Sequence, residues 1–385
     1  MKRRHSVALL IETSNAYSRG IIDGVISFVR QTGNWSVYLP EQERGARPPD
    51  WLNRWKGDGI IARVENTSIA RAVQKTKLPT VDISAGRFLS GVPWVETDDS
   101  TIAMLAAEHL IERGFQHLAF CGDPGFNWSF MRQTQFEQSA LAAGCTCDIH
   151  NSISRMDTDY SWNRDRRKLR SWLRRLPRPV GIMACYDIKA QQLLSICRDE
   201  EIRVPEEVAV IGVDNDRRLC ELCDPPLSSV VPNSWKTGYQ AASLLNQMMS
   251  GRMVDQCGHL IAPIGIETRQ STDILAIDDD HVSAAVRFIR SRACEGIDVS
   301  DVLKAVPLSR RVLESRFRTL VGRTPHAEIT RVRIDRVKTL LRETEQPLAS
   351  IAQAAGFRHV EYLSVAFRKA TGRTPREYRR LVRPQ

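Results

Sequence analysis

The sequence lacks any run of apolar residues long enough to cross a membrane, and it lacks a complete export signal. No segment reaches the roughly 18 consecutive apolar residues that a membrane-spanning helix requires. After a basic start, the first apolar run covers only residues 7–11 and ends at Glu12, which is shorter than the apolar part of a signal peptide. We therefore expect a cytoplasmic protein with no membrane partner.

The sequence also lacks the glycine-rich motifs that cradle nucleotides. Neither G-x-G-x-x-G nor a G-K-[ST] phosphate loop is present. Dinucleotides and nucleoside triphosphates are therefore not the expected ligands, and no cofactor is expected.

A disulfide framework is missing as well, because the nine cysteines are odd in number and irregularly spaced. Cys220-x-x-Cys223 together with Cys257-x-His259 could in principle supply four zinc ligands. The two pairs lack the compact knuckle spacing of structural zinc sites. We therefore expect free thiols and no metal site.

Net positive charge is absent from most of the chain and concentrated at its carboxyl end. Residues 281–385 contain 22 Lys and Arg against 10 Asp and Glu, a net charge of +12. Because the whole chain carries +10, residues 1–280 carry −2. Neutralising the phosphates of double-stranded DNA requires such a concentration of positive charge.

Two similar segments of this basic region have the spacing of helix-turn-helix units. Around residues 348–371, apolar residues recur at helical spacing on both sides of Gly356, which suits a tight corner between helices. The pattern also occurs about fifty residues earlier, over 298–321, and both copies end in Gly-Arg-Thr-Pro. A helix predicted over 327–344 joins them. An ordinary helical hairpin has the same pattern, but the charge favours two DNA-binding units in successive major grooves, roughly 34 Å apart.

The second copy resembles the signature of AraC-type transcription regulators. The matching residues are Ile351-Ala352, Gly356-Phe357, Tyr362, Phe367-Arg368-Lys369, Gly372, Thr374-Pro375 and Tyr378-Arg379. Leu363 stands where that family commonly has phenylalanine. The resemblance implies that the helices at 309–320 and 359–370 read promoter DNA. The residues expected to contact DNA are Ser309, Arg310, Arg311, Glu314, Arg358, His359, Glu361 and Tyr362.

Residues 6–275 alternate between short apolar segments and amphipathic helical segments, and the helical segments lie at 18–33, 101–114, 188–201 and 235–251. The apolar segments, at 7–12, 59–64, 79–84, 117–122, 180–185, 208–214 and 227–231, are typical of parallel strands buried on both faces. This alternation predicts a doubly wound α/β architecture, and its length predicts two lobes with a cleft. The expected domains are 1–277 and 278–385, with the junction at 278–281.

Polar residues follow these strands, at the sheet edge where α/β proteins bind ligands. Ser14 and Asn15 follow the first strand, whereas Asp187 and Asp214 follow two later ones. Carboxylates can accept hydrogen bonds from sugar hydroxyls, and Arg132 can donate others. These side chains predict a site for an uncharged polyhydroxyl ligand. A helix cap is the alternative role, above all for Asp187.

The order of these features resembles LacI-type regulators and periplasmic sugar-binding proteins. "MRQTQF" places Arg132, and "VAVIGVDND" places Asp214, where that family holds a sugar. The amino-terminal DNA-binding headpiece of LacI-type regulators is missing. A sensor fused to a carboxyl-terminal AraC-type module is the layout of bacterial xylose operon regulators, which the sequence resembles along nearly its whole length. That resemblance implies a homodimer that binds a sugar, expected to be D-xylose, and activates pentose-utilisation genes.

Two other functions remain open from the residues. Asp187 and Asp214 could act as a general acid and base on a glycoside, since paired carboxylates perform that reaction. The sequence offers no second argument for an enzyme, and the basic duplicated region would stay unexplained. A plain sugar-binding protein is opposed by the missing export signal. We therefore expect a regulator with no enzymatic activity, either of xylose genes or of genes for another sugar.

Overall fold

The computed structural model describes residues 4–32, 35–42, 47–154, 157, 159–273, 279–344 and 346–382. The chain divides into two compact units, Met1–Asp273 and Ile274–Gln385. The predicted domain boundary falls at 277/278, within a segment that lies outside the described residues, and so does Asp278 of the predicted junction. Among the residues described, none of the helices has the length and apolar character needed to span a membrane.

The first unit contains two six-stranded sheets. Its strands are β1 (His5–Leu10), β2 (Trp35–Tyr38), β3 (Gly59–Ala62), β4 (Thr80–Asp82), β5 (Trp94–Thr97), β6 (His117–Gly122), β7 (Thr146–Asn151), β8 (Val180–Ala184), β9 (Val208–Val213), β10 (Ser228–Val231), β11 (Gly258–Ile261) and β12 (Gly265–Glu267). The sheet of the first lobe has the order β11-β5-β4-β3-β1-β2, and that of the second lobe β12-β10-β9-β8-β6-β7. The strand pairs are parallel except β10 with β12.

Helices cover the faces of both sheets. They are α1 (Ala16–Thr32), α2 (Thr67–Thr76), α3 (Asp99–Ile111), α4 (Asn127–Ala142), α5 (Trp162–Arg175), α6 (Asp187–Asp199), α7 (Arg217–Leu222) and α8 (Ser234–Met249). Within the described residues the chain passes between the sheets three times, after β5, β10 and β11. Three crossings hold two lobes side by side and leave the carboxyl ends of both sets of strands facing one cleft.

The seven strands predicted from apolar runs are confirmed, and so are the four helices predicted around residues 18–33, 101–114, 188–201 and 235–251. The strands that sequence analysis did not predict are β2, β5, β7, β11 and β12. Four of these five lie at sheet edges, where one flank faces solvent and no continuous apolar run is needed. The fifth, β5, has only two apolar residues before its polar end.

The second unit is all helical. Its helices are α9 (Asp280–Arg292), α10 (Val299–Ala305), α11 (Arg310–Val321), α12 (Pro325–Glu343), α13 (Leu348–Ala354), α14 (Val360–Thr371) and α15 (Pro375–Val382). The pairs α10–α11 and α13–α14 occupy the positions of the two predicted helix-turn-helix units, and α12 is the predicted bridge. The turn of the second pair is one residue longer than that of the first, as the change in repeat spacing predicted.

The duplicated residues have equivalent places in the two helix pairs. Leu313 and Leu363 are fully buried, as are Phe317 and Phe367. The turn of the second pair requires glycine at Gly356, which has φ 76°. A Cβ atom there would lie 2.7 Å from the carbonyl oxygen of Ala293, so both the backbone conformation and the close approach exclude a side chain.

The two copies differ in how the helix after each Gly-Arg-Thr-Pro is held. In the first copy the fully buried carboxylate of Glu328 pairs with Arg290, Arg323 and Arg331 at 2.8 to 3.4 Å. At the equivalent position of the second copy stands Tyr378, whose ring meets Phe367 edge-on at 5.4 Å. The helix that follows Gly-Arg-Thr-Pro is therefore held by ion pairs in the first copy and by an aromatic contact in the second copy.

Candidate functional site

The cavity between the two lobes of the first unit is lined by charged and aromatic side chains from both. The first lobe contributes Tyr17, Arg63 and Glu96. The second lobe contributes Trp128, Arg132, Tyr186 and Asp214. All seven follow, or end, parallel strands, so they meet at the predicted edge of the sheets. Carboxylates, guanidinium groups and rings in one cavity suit a small ligand with many hydroxyl groups.

Arg132 is held rigidly in this cavity. Its Nε donates to Asp99 Oδ1 at 2.7 Å, and its Nη1 donates to the carbonyl oxygen of Cys185 at 2.6 Å. Its guanidinium lies 4.9 Å from the ring centre of Trp128. Burial acts to lower the pKa of Arg132, but the charges of Asp99 and Asp214 raise it overall, so the group stays protonated. A fixed, charged donor beside a ring can orient a hydroxylated ligand.

Asp214 begins a loop whose backbone is unusual for residues other than glycine. Asp214 has φ 103° and Asn215 has φ 48°, conformations that cost on the order of 1 to 3 kcal/mol each. The contacts that hold the loop include the backbone amide of Asn215, which donates to Ser229 Oγ at 3.0 Å, and Arg269, which donates to the Asn215 side chain at 2.8 Å. In this conformation Asp214 lines the cavity.

Asp187 lies beneath this loop and does not line the cavity. Its Oδ1 accepts a hydrogen bond from the Ser229 hydroxyl at 2.7 Å, and its Oδ2 accepts one from the backbone amide of Asp216 at 2.8 Å. The Cys220 thiol donates to the same Oδ2 at 3.4 Å. Burial, followed by the charge of Asp214, raises the pKa of Asp187 to about 8. The geometry therefore favours a supporting role over direct contact with a ligand.

Replacing Asp187 tests this role. Asn keeps one acceptor for the Asp216 amide and gives a donor to Ser229, so Asp187→Asn should retain ligand affinity. Asp187→Ala removes the acceptor of three donors, the Ser229 hydroxyl, the Asp216 amide and the Cys220 thiol. A buried donor left unsatisfied costs about 1 to 3 kcal/mol, so this variant should weaken both folding and ligand binding. Thermal melts and ligand titrations of the two variants show whether Asp187 supports the loop or contacts the ligand. A tenfold loss of affinity in Asp187→Asn would instead place this carboxylate on the ligand.

The Asp187→Asn variant should also change how folding stability depends on pH. Because the folded pKa of Asp187 lies above its usual 3.8, the folded state holds a proton that the unfolded chain releases. The resulting stability is fully present below about pH 4 and is lost as pH rises through about 8. In Asp187→Asn this loss should disappear from the stability profile.

The side chains that the first lobe contributes to the cavity are fixed by hydrogen bonds and ion pairs. The Tyr17 hydroxyl donates to Glu96 Oε1 at 3.0 Å. The Arg63 guanidinium lies 5.3 Å from the Tyr17 ring and pairs with Glu12 at 3.2 Å and with Glu65 at 3.1 Å. These contacts fix a ring, a cation and a carboxylate opposite Arg132 and Asp214.

Glu96 titrates near neutral pH. Burial, followed by the charge of Asp99, raises its pKa to about 7. The side chain can therefore either accept a hydrogen bond or, when protonated, donate one. A sugar hydroxyl can satisfy both forms because it is both donor and acceptor.

The remaining predicted ligand-binding residues lie outside the cavity lining. The Asn15 side chain accepts a hydrogen bond from the Ser18 amide at 2.7 Å and donates to Glu12, so it caps the start of α1. Ser14 contributes its carbonyl oxygen to Arg19 at 2.8 Å. The structure thus brings Arg132 and Asp214 together, with Asp187 one layer below and the Ser14–Asn15 pair at a helix start.

Sequence analysis did not select Arg63 or Glu96. Arg63 directly follows β3, but the strand was predicted to extend over 59–64, so Arg63 lay inside the predicted strand and was not considered as a residue at its end. Glu96 lies within β5, and missing that strand hid it.

The predicted DNA-contacting residues cluster at the starts of α11 and α14. Seven of the eight are exposed, and the eighth, Glu314, is partly buried and accepts a hydrogen bond from Arg310 at 3.0 Å. On α14 the exposed face also includes Val365, at 66% exposure. An exposed apolar residue on this face can contact the methyl group of thymine in a major groove.

Comparisons with known proteins give matches to both the first and the second unit of the chain. Models described as the XylR N-terminal domain, a periplasmic binding protein-like domain and a helix-turn-helix domain match residues 6–99, 107–272 and 302–381. The xylose operon regulatory protein of Escherichia coli K12 is 32% identical, over 98% of this chain and 97% of that protein. The protein of that name from Haemophilus influenzae is 30% identical, over 97% of this chain and 98% of its own.

Solved structures give the same result. The structure of the xylose-binding transcription activator xylR is 31% identical, with a TM-score of 0.78, and the match covers 99% of each chain. A periplasmic binding protein/LacI transcriptional regulator from Alkaliphilus metalliredigens, complexed with D-xylulofuranose, has a TM-score of 0.56 at 18% identity. That match covers 69% of this chain and 98% of the other, and it supports the fold alone.

A two-lobed, LacI-like sensor followed by two helix-turn-helix units defines a DNA-binding transcription regulator, and the predicted fold class is confirmed. Within that class the chain belongs to the xylose operon regulatory protein family.

Proposed function

We propose that this regulator binds D-xylose in the cavity between its lobes and responds by changing how a homodimer engages promoter DNA in the cytoplasm. The observation that carries the proposal is the cavity itself, where Arg132 and Asp214 face Glu96 and Arg63 across the two lobes. We infer that the bound form then activates genes for pentose use. The relatives named xylose operon regulatory protein and xylose-binding transcription activator xylR support this inference.

The cavity chemistry favours an uncharged sugar over a charged metabolite. Two carboxylates and two guanidinium groups line the cavity. An anion would therefore be repelled by the carboxylates, and a cation by the guanidinium groups. Hydroxyl groups can donate to the carboxylates and accept from the guanidinium groups at the same time. The rings of Tyr17, Trp128 and Tyr186 can cover the apolar face of the sugar.

The response follows from the position of the cavity. A ligand that contacts both lobes binds the closed form of the first unit more tightly than the open form, so it shifts the population toward closure. Contacts that already join the lobes include an ion pair at 3.3 Å between Arg19 and Asp216 and a hydrogen bond at 2.7 Å from the Asn127 side chain to the carbonyl oxygen of Ala85. In a dimer, that shift changes the presentation of the helix-turn-helix units, which couples sugar and DNA binding.

A thermal-shift screen across pentoses and hexoses tests the ligand. A sugar that binds only the folded state stabilises it by about 2.7 kcal/mol at a hundred times its Kd, so D-xylose should raise the melting temperature. The same sugar should change affinity for a promoter duplex recovered from a fragment library. A larger shift with another sugar would favour the alternative, a regulator of this architecture for a different sugar. No shift with any sugar would contradict the proposal.

A further inference from the structure

Helix α5, in the second lobe of the sensor unit, carries an unusual concentration of positive charge. Its 14 residues hold seven Lys and Arg against one Asp, a net charge of +6. The surrounding residues 1–280 carry −2 in total, so the rest of that part of the chain carries −8. The DNA-binding unit therefore does not account for all of the local positive charge in this protein.

The helix divides into three faces with different partners. The first face packs into the lobe through Leu169, Trp172 and Leu173, which are buried. On the same side, buried Asp165 accepts a hydrogen bond from Lys189 Nζ at 3.0 Å. This face fixes the helix against the sheet.

The second face is neutralised by the end of α6. Arg170 and Arg174 pair with Glu200 at 3.0 and 2.5 Å, and Arg166 pairs with Asp199. Three of the seven cations are therefore used within the lobe.

The third face, here called the basic face, consists of Arg164, Arg167, Lys168 and Arg175. At 3.6 residues per turn these four positions fall within an arc of about 100°. All four are exposed, and within the described part of the chain none of them forms an ion pair. The nearby exposed carboxylates include Asp148, which accepts a hydrogen bond from Trp172 Nε1 on the packed side of the helix, and Asp157 and Asp159, which precede the helix.

We propose that the basic face binds phosphates of duplex DNA that flanks the operator, which rests on the function proposed above. From residue 164 to residue 175 the face extends roughly 16 Å, about half a turn of B-DNA. Over that length a duplex presents one negative charge per ~1.7 Å of axis. Crowding like charges at i, i+3 and i, i+4 destabilises a helix, and a polyanion relieves that repulsion. Because the helix-turn-helix units bind DNA, DNA is the polyanion that we expect the basic face to contact.

Salt-dependent binding measures this contact in the full chain. The variant carries Arg164→Gln, Arg167→Gln, Lys168→Gln and Arg175→Gln, which keep long side chains of good helix propensity. The DNA is the promoter duplex retained by the wild type, and it is used in two lengths. The trimmed duplex contains only the segment that the bound protein protects, and the extended duplex is longer by about three helical turns of ~10.5 base pairs each.

The expected result is a difference on the extended duplex alone. Four phosphate contacts correspond to a loss of about 3.6 from the logarithmic salt slope. Between 50 and 200 mM salt, the wild-type Kd should therefore rise about a hundredfold more than that of the variant. On the trimmed duplex the two should bind alike. The pair of changes Arg164→Gln and Arg175→Gln alone should remove about half of the slope difference.

A matched control separates local contact from net charge. Arg54→Gln, Lys56→Gln, Arg71→Gln and Lys75→Gln remove four exposed charges from the first lobe and should leave the slope unchanged. A sugar-induced thermal shift shows that each variant retains a folded sensor.

Each other outcome overturns the inference. Equal slopes for wild type and variant, with intact sugar and operator binding, would overturn it while leaving the proposed function standing. Unchanged DNA binding with reduced transcription by purified RNA polymerase would assign the face to an acidic protein instead. Failure of the wild type itself to retain any promoter duplex would overturn the proposed function.

Discussion

Replacing Asp214 by asparagine should weaken sugar binding by about ten- to a hundredfold while the sensor unit stays folded. Asparagine has nearly the same shape and tolerates positive φ better than most residues, so the strained backbone at φ 103° should persist. What is lost is the charge, and hydrogen bonds to a charged group contribute about 1.5 to 3 kcal/mol. Calorimetric titration with D-xylose measures the change directly.

Asparagine is a sharper replacement than alanine at this position. Alanine would combine loss of the carboxylate with backbone strain, so reduced binding could not be assigned to the lost hydrogen bonds. The exposed carboxylate of Asp255, changed to asparagine in parallel, serves as the matched control and should leave affinity unchanged. Wild-type sugar affinity in Asp214→Asn would remove Asp214 from the binding site.

Changing Arg358 and His359 together to alanine should reduce discrimination between operator and random DNA. Both side chains are exposed where α14 begins, the end of a recognition helix that meets base edges. A bidentate contact to a base contributes about 1 to 3 kcal/mol of discrimination, so the specificity ratio should fall by at least several-fold. Competition titrations against random duplex at several salt concentrations give this ratio.

Lys369, in the last turn of the same helix, provides the comparison. It is exposed and far from the helix start, so Lys369→Ala should weaken operator and random DNA equally, with a salt slope reduced by about 0.9 if it neutralises a phosphate. Equal weakening in the Arg358/His359 variant would mean that these two residues also touch only phosphates.

The strands that sequence analysis identified are those in the middle of each sheet. A central parallel strand is covered on both faces, so β8 and β9 are continuously apolar, as is β1 from Val7 onward, and these strands stand out along the chain. Edge strands such as β2 and β7 have mostly exposed or partly exposed residues, and their pairing depends on a neighbour elsewhere in the chain. Local pattern cannot show a partner that is distant in sequence.

The cavity residues divide in a similar way. Arg132 and Asp214 could be selected because each stands in a recognisable motif after a strand or at the start of a helix. Asp187 satisfies the same positional rule, yet its side chain turns down to Ser229 and the amide of Asp216. Position at the end of a strand identifies the edge of the sheet, whereas the direction of the side chain depends on which donors lie beneath it.

The sequence by itself determined the class of this protein: the alternation of strands and helices, the duplicated helix pairs and the charge of +12 over residues 281–385 are all properties of local order and composition. Only the tertiary structure decided which polar groups share a cavity. Tyr17 and Glu96 are 79 residues apart, yet their side chains are hydrogen-bonded at 3.0 Å. Contacts of this kind depend on how strands order within a sheet and how two lobes face each other, and apolar periodicity carries no record of either.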